Sequence, residues 1–194
     1  MPFYKSKLLW LHIQQSQDIA RRYLITNGFD GALTMLGLMI GFYSSSESSI
    51  QVAISASTGA AIALFMSGIS SAYLSETAER KKELQELEQA LISDLGESDY
   101  GQASRYVPYF VALVNGLSPL LISMTIILPL WLAHHGMVFP ISPFIVASII
   151  AFINIFFLGL FLSKVSNTFW LWAGLKALII ATLTAGIILF LESS

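Results

Sequence analysis

The chain has 194 residues, of which 55% are hydrophobic and only 11% charged, and its formal net charge is −2. A soluble domain carries about a quarter charged residues and has too little interior at this length to hide so much apolar surface. A disordered chain, a nucleic-acid binder and an ordinary soluble enzyme are therefore excluded. The absence of cysteine also excludes disulfides, thiolate metal sites and cysteine nucleophiles.

In chain order, residues 1–22 come first. Leu8, Leu9, Leu11, His12 and Ile13, followed by Ile19 and Ala20, predict an amphipathic helix on the membrane surface, with Trp10 as an interfacial anchor. A disordered tail is the alternative. Gln14, Gln15 and Gln17 interrupt the apolar stretch, so it does not read as a cleaved signal peptide. Five apolar runs then reach the length of about 20 residues that a spanning helix needs. They are Leu24–Tyr43, Ile50–Leu74, Val107–Ala133, Ile141–Leu162 and Phe169–Leu191. They are too long for barrel strands and lack strict alternation, which predicts an all-α membrane protein. The organisation expected is an N-terminal segment 1–22, helices 1 and 2 over 23–75, an acidic helical extension over 76–105, and helices 3 to 5 over 106–194. Pro108, Pro119 and Pro129 predict kinks in helix 3.

The positive charges set an expected topology. Lys5, Lys7, Arg21 and Arg22 precede helix 1, Arg80, Lys81, Lys82 and Arg105 lie between helices 2 and 3, and Lys164 follows helix 4. The tenth, Lys176, sits inside helix 5, within snorkelling reach of the same side. The loop Ser44–Ser49 holds only Glu47, and the loop at His134–Gly136 has no Lys or Arg. The N-terminus is thus expected in the cytoplasm and the C-terminus outside or in a lumen, with the extension after helix 2 cytoplasmic.

The sequence also echoes itself at an offset of 88 residues. Asn27-Gly28-Phe29 matches Asn115-Gly116-Leu117, Tyr73-Leu74-Ser75 matches Phe161-Leu162-Ser163, and Leu33, Tyr43 and Ala63 fall on Leu121, Trp131 and Ala151. Helices 1–2 and 3–4 then read as two copies of one hairpin, related by an axis along the membrane normal. The copies differ at Asp30, opposite Ser118, and at Met66, opposite Asn154. Gly28, Gly31, Gly116 and Pro119 suit either local unwinding or close helix approach.

Asp30 is the strongest chemical signal. An intramembrane carboxylate costs about 2.5–3.5 kcal/mol on insertion scales and marks an ion, a partner or a polar path. It reads as a cation ligand or proton carrier, or else as a group bonded to Arg21 or Arg22 or capping a half-helix. Met35, Met39, Met66 and Met124 also fall inside spans, and Met66 adjoins the small-residue run Ser67-Gly68-Ile69-Ser70-Ser71. A thioether is a soft ligand for a transition metal, and also a common filler of apolar interiors. Asn27, Met35, Asn115, Ser118 and Asn154 line a candidate path, or act as ordinary helix–helix contacts. Glu76, Glu79, Glu83 and Glu86 share a helix face of about 80°. That face suits a hard or borderline cation, or is a solvated face neutralised by Arg80 and Lys82. The pair His134 and His135 and the isolated His12 carry weaker signals, and no nucleophile or phosphate-loop motif points to an enzyme.

Asn27-Gly28-Phe29-Asp30-Gly31-Ala32-Leu33-Thr34 resembles the first-span signature of the vacuolar iron transporter family, which includes the nodulin-21-like proteins. Ala72-Tyr73-Leu74-Ser75, leading into Glu76, Glu79 and Glu83, resembles the end of that family's second span and its acidic extension, and Leu158-Gly159, Lys164, Gly174 and Gly186 resemble its last two spans. The resemblance implies a five-helix homodimer in the lipid bilayer that exports Fe²⁺ or Mn²⁺ from the cytosol in exchange for protons. No tightly bound cofactor is implied, since the metal ion is the cargo. Asp30 corresponds to the family's first-span Asp, and the second-span Met falls near Met66 or Gly68. A second-span Glu has no counterpart at Thr58 to Ala60, and the metal-binding region is shortened to about Glu76–Arg105. The alternative is a scaffold or metal sensor on the same fold. A prokaryotic plasma membrane is the expected location.

Overall fold

The computed structural model describes the backbone of residues 2–45, 49–166 and 169–192, and the side chains of 19–45, 49–163 and 169–192. Among these residues every regular element is an α-helix: α1 (Pro2–Ser44), α2 (Ile50–Leu91), α3 (Asp99–His134), α4 (Pro143–Ser166) and α5 (Trp170–Glu192). Each contains a stretch long and apolar enough to cross a membrane, Ile19–Ser44 being that of α1. The backbone of residues 2–18 is helical and continues into that span without a break. The amphipathic face expected there, with Trp10 and His12, and the side chains of Lys5, Lys7, Glu47 and Lys164 lie outside the described residues. Large apolar side chains such as Leu183, Ile187 and Phe190 stand exposed along α5. In water such a surface would aggregate, whereas in a bilayer it meets lipid.

Backbone contacts divide the chain into two compact units, Met1–Leu24 with Met66–Leu117 and Ile25–Phe65 with Ser118–Ser194. The first contains an antiparallel hairpin of α2 and α3. The Asn115 side chain meets Gly68, Tyr109 meets Tyr73, Tyr100 meets Glu83 and Leu95 meets Glu88. Partners thus move apart in sequence as the hairpin departs from its turn. α2 ends where Ile92 takes a φ of 51°, and the Ser93 amide donates back to the Glu88 carbonyl at 3.2 Å. This closes the helix as a Schellman turn does. Ser98 caps α3, its Oγ accepting the Gly101 amide at 3.1 Å. Gly101 is needed here, because a Cβ would lie 2.4 Å from the Leu95 carbonyl oxygen.

The second unit holds the larger core. Met35, Leu36, Met39, Ile126, Ile127, Leu130 and Ile155 are fully buried there with Ala32, Ala147 and Ala181. α3 ends with Gly136 at φ 91° and the Met137 amide bonded to the Leu132 carbonyl at 3.0 Å. α4 opens on Pro143, whose missing N–H costs nothing at a first helical position. Close approach of small residues sets the packing. A Cβ on Gly31 would lie 2.8 Å from the Pro119 Cα, and one on Gly159 would lie 2.9 Å from the Gly174 Cα.

Gly31 and Pro119 are separated by the 88-residue offset seen in the sequence, and they touch. Gly116 on α3 packs against Gly68 on α2 in the first unit, and Gly28 on α1 packs against Leu158 on α4 in the second. The glycines therefore serve close approach, and α1 and α3 remain helical through them and through all three prolines.

Gly31→Ala forces the Pro119 backbone to move, and overpacking of this kind costs about 1–3 kcal/mol. Gly59 also lies inside a helix, but nothing approaches its Cβ position within 4 Å. Gly59→Ala should be neutral or stabilising by up to about 1 kcal/mol. Unfolding of both variants in mixed detergent micelles measures the difference.

Candidate functional site

Asp30 lies eleven residues after Ile19 and fourteen before Ser44, the ends of the α1 span. At 1.5 Å per residue that is about 16 and 21 Å, close to the middle of the span. Its side chain is exposed. The reason is local: Gly28, Gly31, Ala32 and Met35 all face the packed interior, and at 100° per residue Asp30 falls on the opposite side. Thr34, one turn on, is exposed with it. The second unit therefore presents a carboxylate at mid-span on an outward face.

The other candidates separate into three kinds. Met35 is fully buried in the core and acts as packing. Ser118 is buried near Gly28, and Asn154 donates to the Ile150 carbonyl at 2.9 Å and to Thr125 Oγ1 at 3.2 Å. These are contacts that hold helices together. Asn27 is half-buried and already has an interaction. In the first unit, buried Asn115 donates from Nδ2 to the Gly68 carbonyl at 2.7 Å, where a Cβ on Gly68 would stand 3.0 Å from the Gly116 Cα. Met66 lies on the exposed face of α2.

The four glutamates of α2 do not act as one set. Glu76 and Arg80 are both buried, at 8% and 7% exposure. Arg80 Nε lies 3.6 Å from Glu76 Oε2, and Arg80 Nη1 donates to Glu83 Oε2 at 3.0 Å. Tyr100 donates its hydroxyl to the same Glu83 oxygen at 3.2 Å. Glu86 lies 3.9 Å from Lys82 Nζ, a long and exposed pair, and Glu79 is exposed. Glu76 stands just past the apolar run Ile50–Leu74, and its carboxyl is held above the ordinary range. Burial is the main cause; Arg80 opposes it, Glu83 adds to it, Arg22 opposes it and Glu79 adds a little. Among the described residues no three His, Asp or Glu side chains gather where one cation could bind them.

Two features escaped the sequence reading. Tyr100 closes the charge cluster from across the turn, and only the fold brings it there. Ser57 and Ser123, on α2 and α3, are buried hydroxyls without a hydrogen-bond partner in the second unit. Nothing in their sequence context distinguishes them from other serines of the spans.

No family model matches the chain, and no solved structure does. The chain is similar to the uncharacterized protein MJ0645 of Methanocaldococcus jannaschii, at 29% identity over 175 residues, covering 88% of this chain and 86% of that protein.

Removing Arg80 alone leaves Glu76 buried without its main compensating cation. Arg80→Leu should cost about 3 kcal/mol, whereas Arg80→Leu combined with Glu76→Leu should recover most of that loss, because an apolar pair of similar volume replaces a desolvated ion pair. Detergent-micelle unfolding of the single and double variants reads this directly.

Proposed function

We propose that the protein is a membrane transporter, not an enzyme, that carries a divalent transition-metal ion, Fe²⁺ or Mn²⁺, out of the cytosol in exchange for protons. The reading rests on Asp30, an exposed carboxylate in the middle of a span. Facing lipid, that group would carry an uncompensated cost of about 2.5–3.5 kcal/mol. A second copy of the chain covering the same face would relieve the cost and set two carboxylates around one path. Resemblance of residues 27–34 to the vacuolar iron transporter signature gives the cargo class. Positive charge around the ends of α1, α2 and α3 gives the orientation, with the N-terminus cytoplasmic in a prokaryotic plasma membrane. Proton exchange follows from carboxylate chemistry, since protonation and metal binding compete for the same oxygens. Glu76, with its raised affinity for protons, fits the cytoplasmic entrance.

A second reading is favoured by one observation. Arg80 already engages Glu76 and Glu83. On that reading the protein is a scaffold or metal sensor on the same fold, and the α2 extension binds a partner.

Proteoliposomes containing a dye sensitive to Fe²⁺ or Mn²⁺ separate these readings. The expected result is flux that falls to the level of empty vesicles in Asp30→Ala. Unchanged flux in Asp30→Ala would sink the role of Asp30. Metal binding without flux in the parent protein would favour the sensor, and neither binding nor flux the scaffold. The chain has no cysteine, so Asp30→Cys supplies its sole thiol. Oxidation should give a covalent dimer if the two α1 faces meet; a monomer under bilayer conditions would count against the shared path.

A further inference from the structure

A second polar site lies in the first unit, apart from the acidic cluster. α2 and α3 flank a cleft of about 490 Å³ whose wall includes Tyr73, Thr77 and Lys81 on one side and Ser104, Arg105 and Tyr109 on the other. Three successive basic residues of α2 have different fates. Arg80 turns inward to Glu76 and Glu83, Lys82 lies near Glu86, and Lys81 faces the cleft. Among the described residues neither Lys81 nor Arg105 makes an ion pair. The site is thus a concavity with two cations that stand in no ion pair, supplemented by the hydroxyls of Thr77 and Ser104.

The cleft is polarised along the helices. Tyr73 precedes Lys81 by two turns, about 12 Å, and Tyr109 follows Arg105 by one turn, about 6 Å. The two tyrosine rings pack with centroids 5.1 Å apart and their hydroxyls 3.4 Å from each other. Beyond them, toward the apolar parts of both helices, Met66 on α2 and Leu113 on α3 are exposed. The order is therefore Lys81, Thr77, Tyr73 and Met66 along α2, and Arg105, Tyr109 and Leu113 along α3. This is the order of a glycerophospholipid at a membrane boundary: charged phosphate, ester and glycerol oxygens, then acyl chains. Tyrosines favour that depth because they are amphipathic, and basic pockets between spanning helices hold acidic headgroups.

We infer that this cleft binds the phosphate headgroup of an anionic glycerophospholipid, with Lys81 and Arg105 as the phosphate contacts and the Tyr73–Tyr109 pair at the glycerol level. Charge decides between lipid classes: two cations outside any ion pair favour a headgroup with net negative charge over a zwitterionic one. The site is independent of metal transport and of Asp30.

The test uses the full chain purified in detergent, with retained lipid counted by native mass spectrometry after addition of phosphatidylglycerol or phosphatidylcholine. Each basic contact near an anionic surface contributes about fivefold. Lys81→Gln with Arg105→Gln should therefore weaken phosphatidylglycerol retention by about 25-fold and leave the weak phosphatidylcholine retention unchanged. Lys82→Gln removes the same charge outside the cleft and should have little effect. Lys81→Arg with Arg105→Lys keeps the charges and should keep retention, which separates loss of the site from loss of the fold. Equal retention of both lipids by the parent protein would overturn the proposal. So would a Lys82→Gln loss as large as that of the double variant, or failure of the charge-keeping pair to retain lipid. Inorganic phosphate at matched concentration is the last arm. Displacement of the lipid by it would make the cleft a site for a free anion and overturn the lipid assignment.

Discussion

Close approach of helix backbones at small residues is the constraint on which the rest of this structure depends. In a bilayer the lipid tails are as apolar as the side chains, so helices gain little from the hydrophobic effect and associate through van der Waals contact and interhelical hydrogen bonds. Each unit meets that requirement with glycine. Gly31 lies on the Pro119 backbone and Gly159 on Gly174 in one unit, while Gly68 lies on Gly116 in the other. The hydrogen bond from Asn115 to the Gly68 carbonyl depends on the same proximity, since a side chain at Gly68 would hold the helices apart. The outward position of Asp30 is a further consequence. Once Gly28 and Gly31 must face inward, the helical period sends Asp30 outward.

Much of this was legible in the sequence, and particular residues show why. The spans could be read because hydrocarbon thickness translates directly into length. The continuation of α2 beyond Leu74 to Leu91 was visible in the periodic Leu84, Leu87 and Leu91. The pairing of Arg80 with Glu76 and Glu83 was also available, since spacings of four and three place those groups on one helix face. Tyr100 was not, because its approach to Glu83 depends on how the turn at Ile92 to Ser98 folds back. Met35 and Met66 show a different limit. Both are methionines inside spans, yet one is fully buried and the other exposed, and that difference comes from which face a neighbouring helix covers. Glycine at 28 and 31 left unwinding and close approach equally open, and the partner at Pro119 decided for approach.

The acidic residues of α2 illustrate how a charge pattern divides once it is folded. Glu76 and Arg80 are desolvated together, so the cluster must hold its geometry or lose its compensation. Glu83 adds Tyr100 and so ties α2 to α3 close to the turn of the hairpin. These contacts make Glu76 and Glu83 structural groups first. On the transport reading they would serve a cation only if it displaced Arg80 or shared its position, which sets a higher barrier than four free carboxylates would. Glu79 and Glu86, both exposed, carry no such burden.

The 88-residue echo in the sequence sharpens the meaning of Asp30. Gly31 and Pro119 occupy equivalent places and touch, yet the residues preceding them differ in both chemistry and exposure: Asp30 is exposed and Ser118 is buried. A carboxylate at 118 would enter a packed interior, where an unpaired charge costs several kcal/mol; serine there can hydrogen-bond within the helix. The two positions therefore differ in role, Ser118 supplying an interior contact and Asp30 an outward acid. One acid per chain is a poor site for a divalent cation, which takes several oxygen or mixed ligands. If Asp30 serves an ion, the remaining ligands must come from outside its own unit, and a second copy of the chain is the simplest source. On the transport reading, dimerisation and ion binding are then one property rather than two.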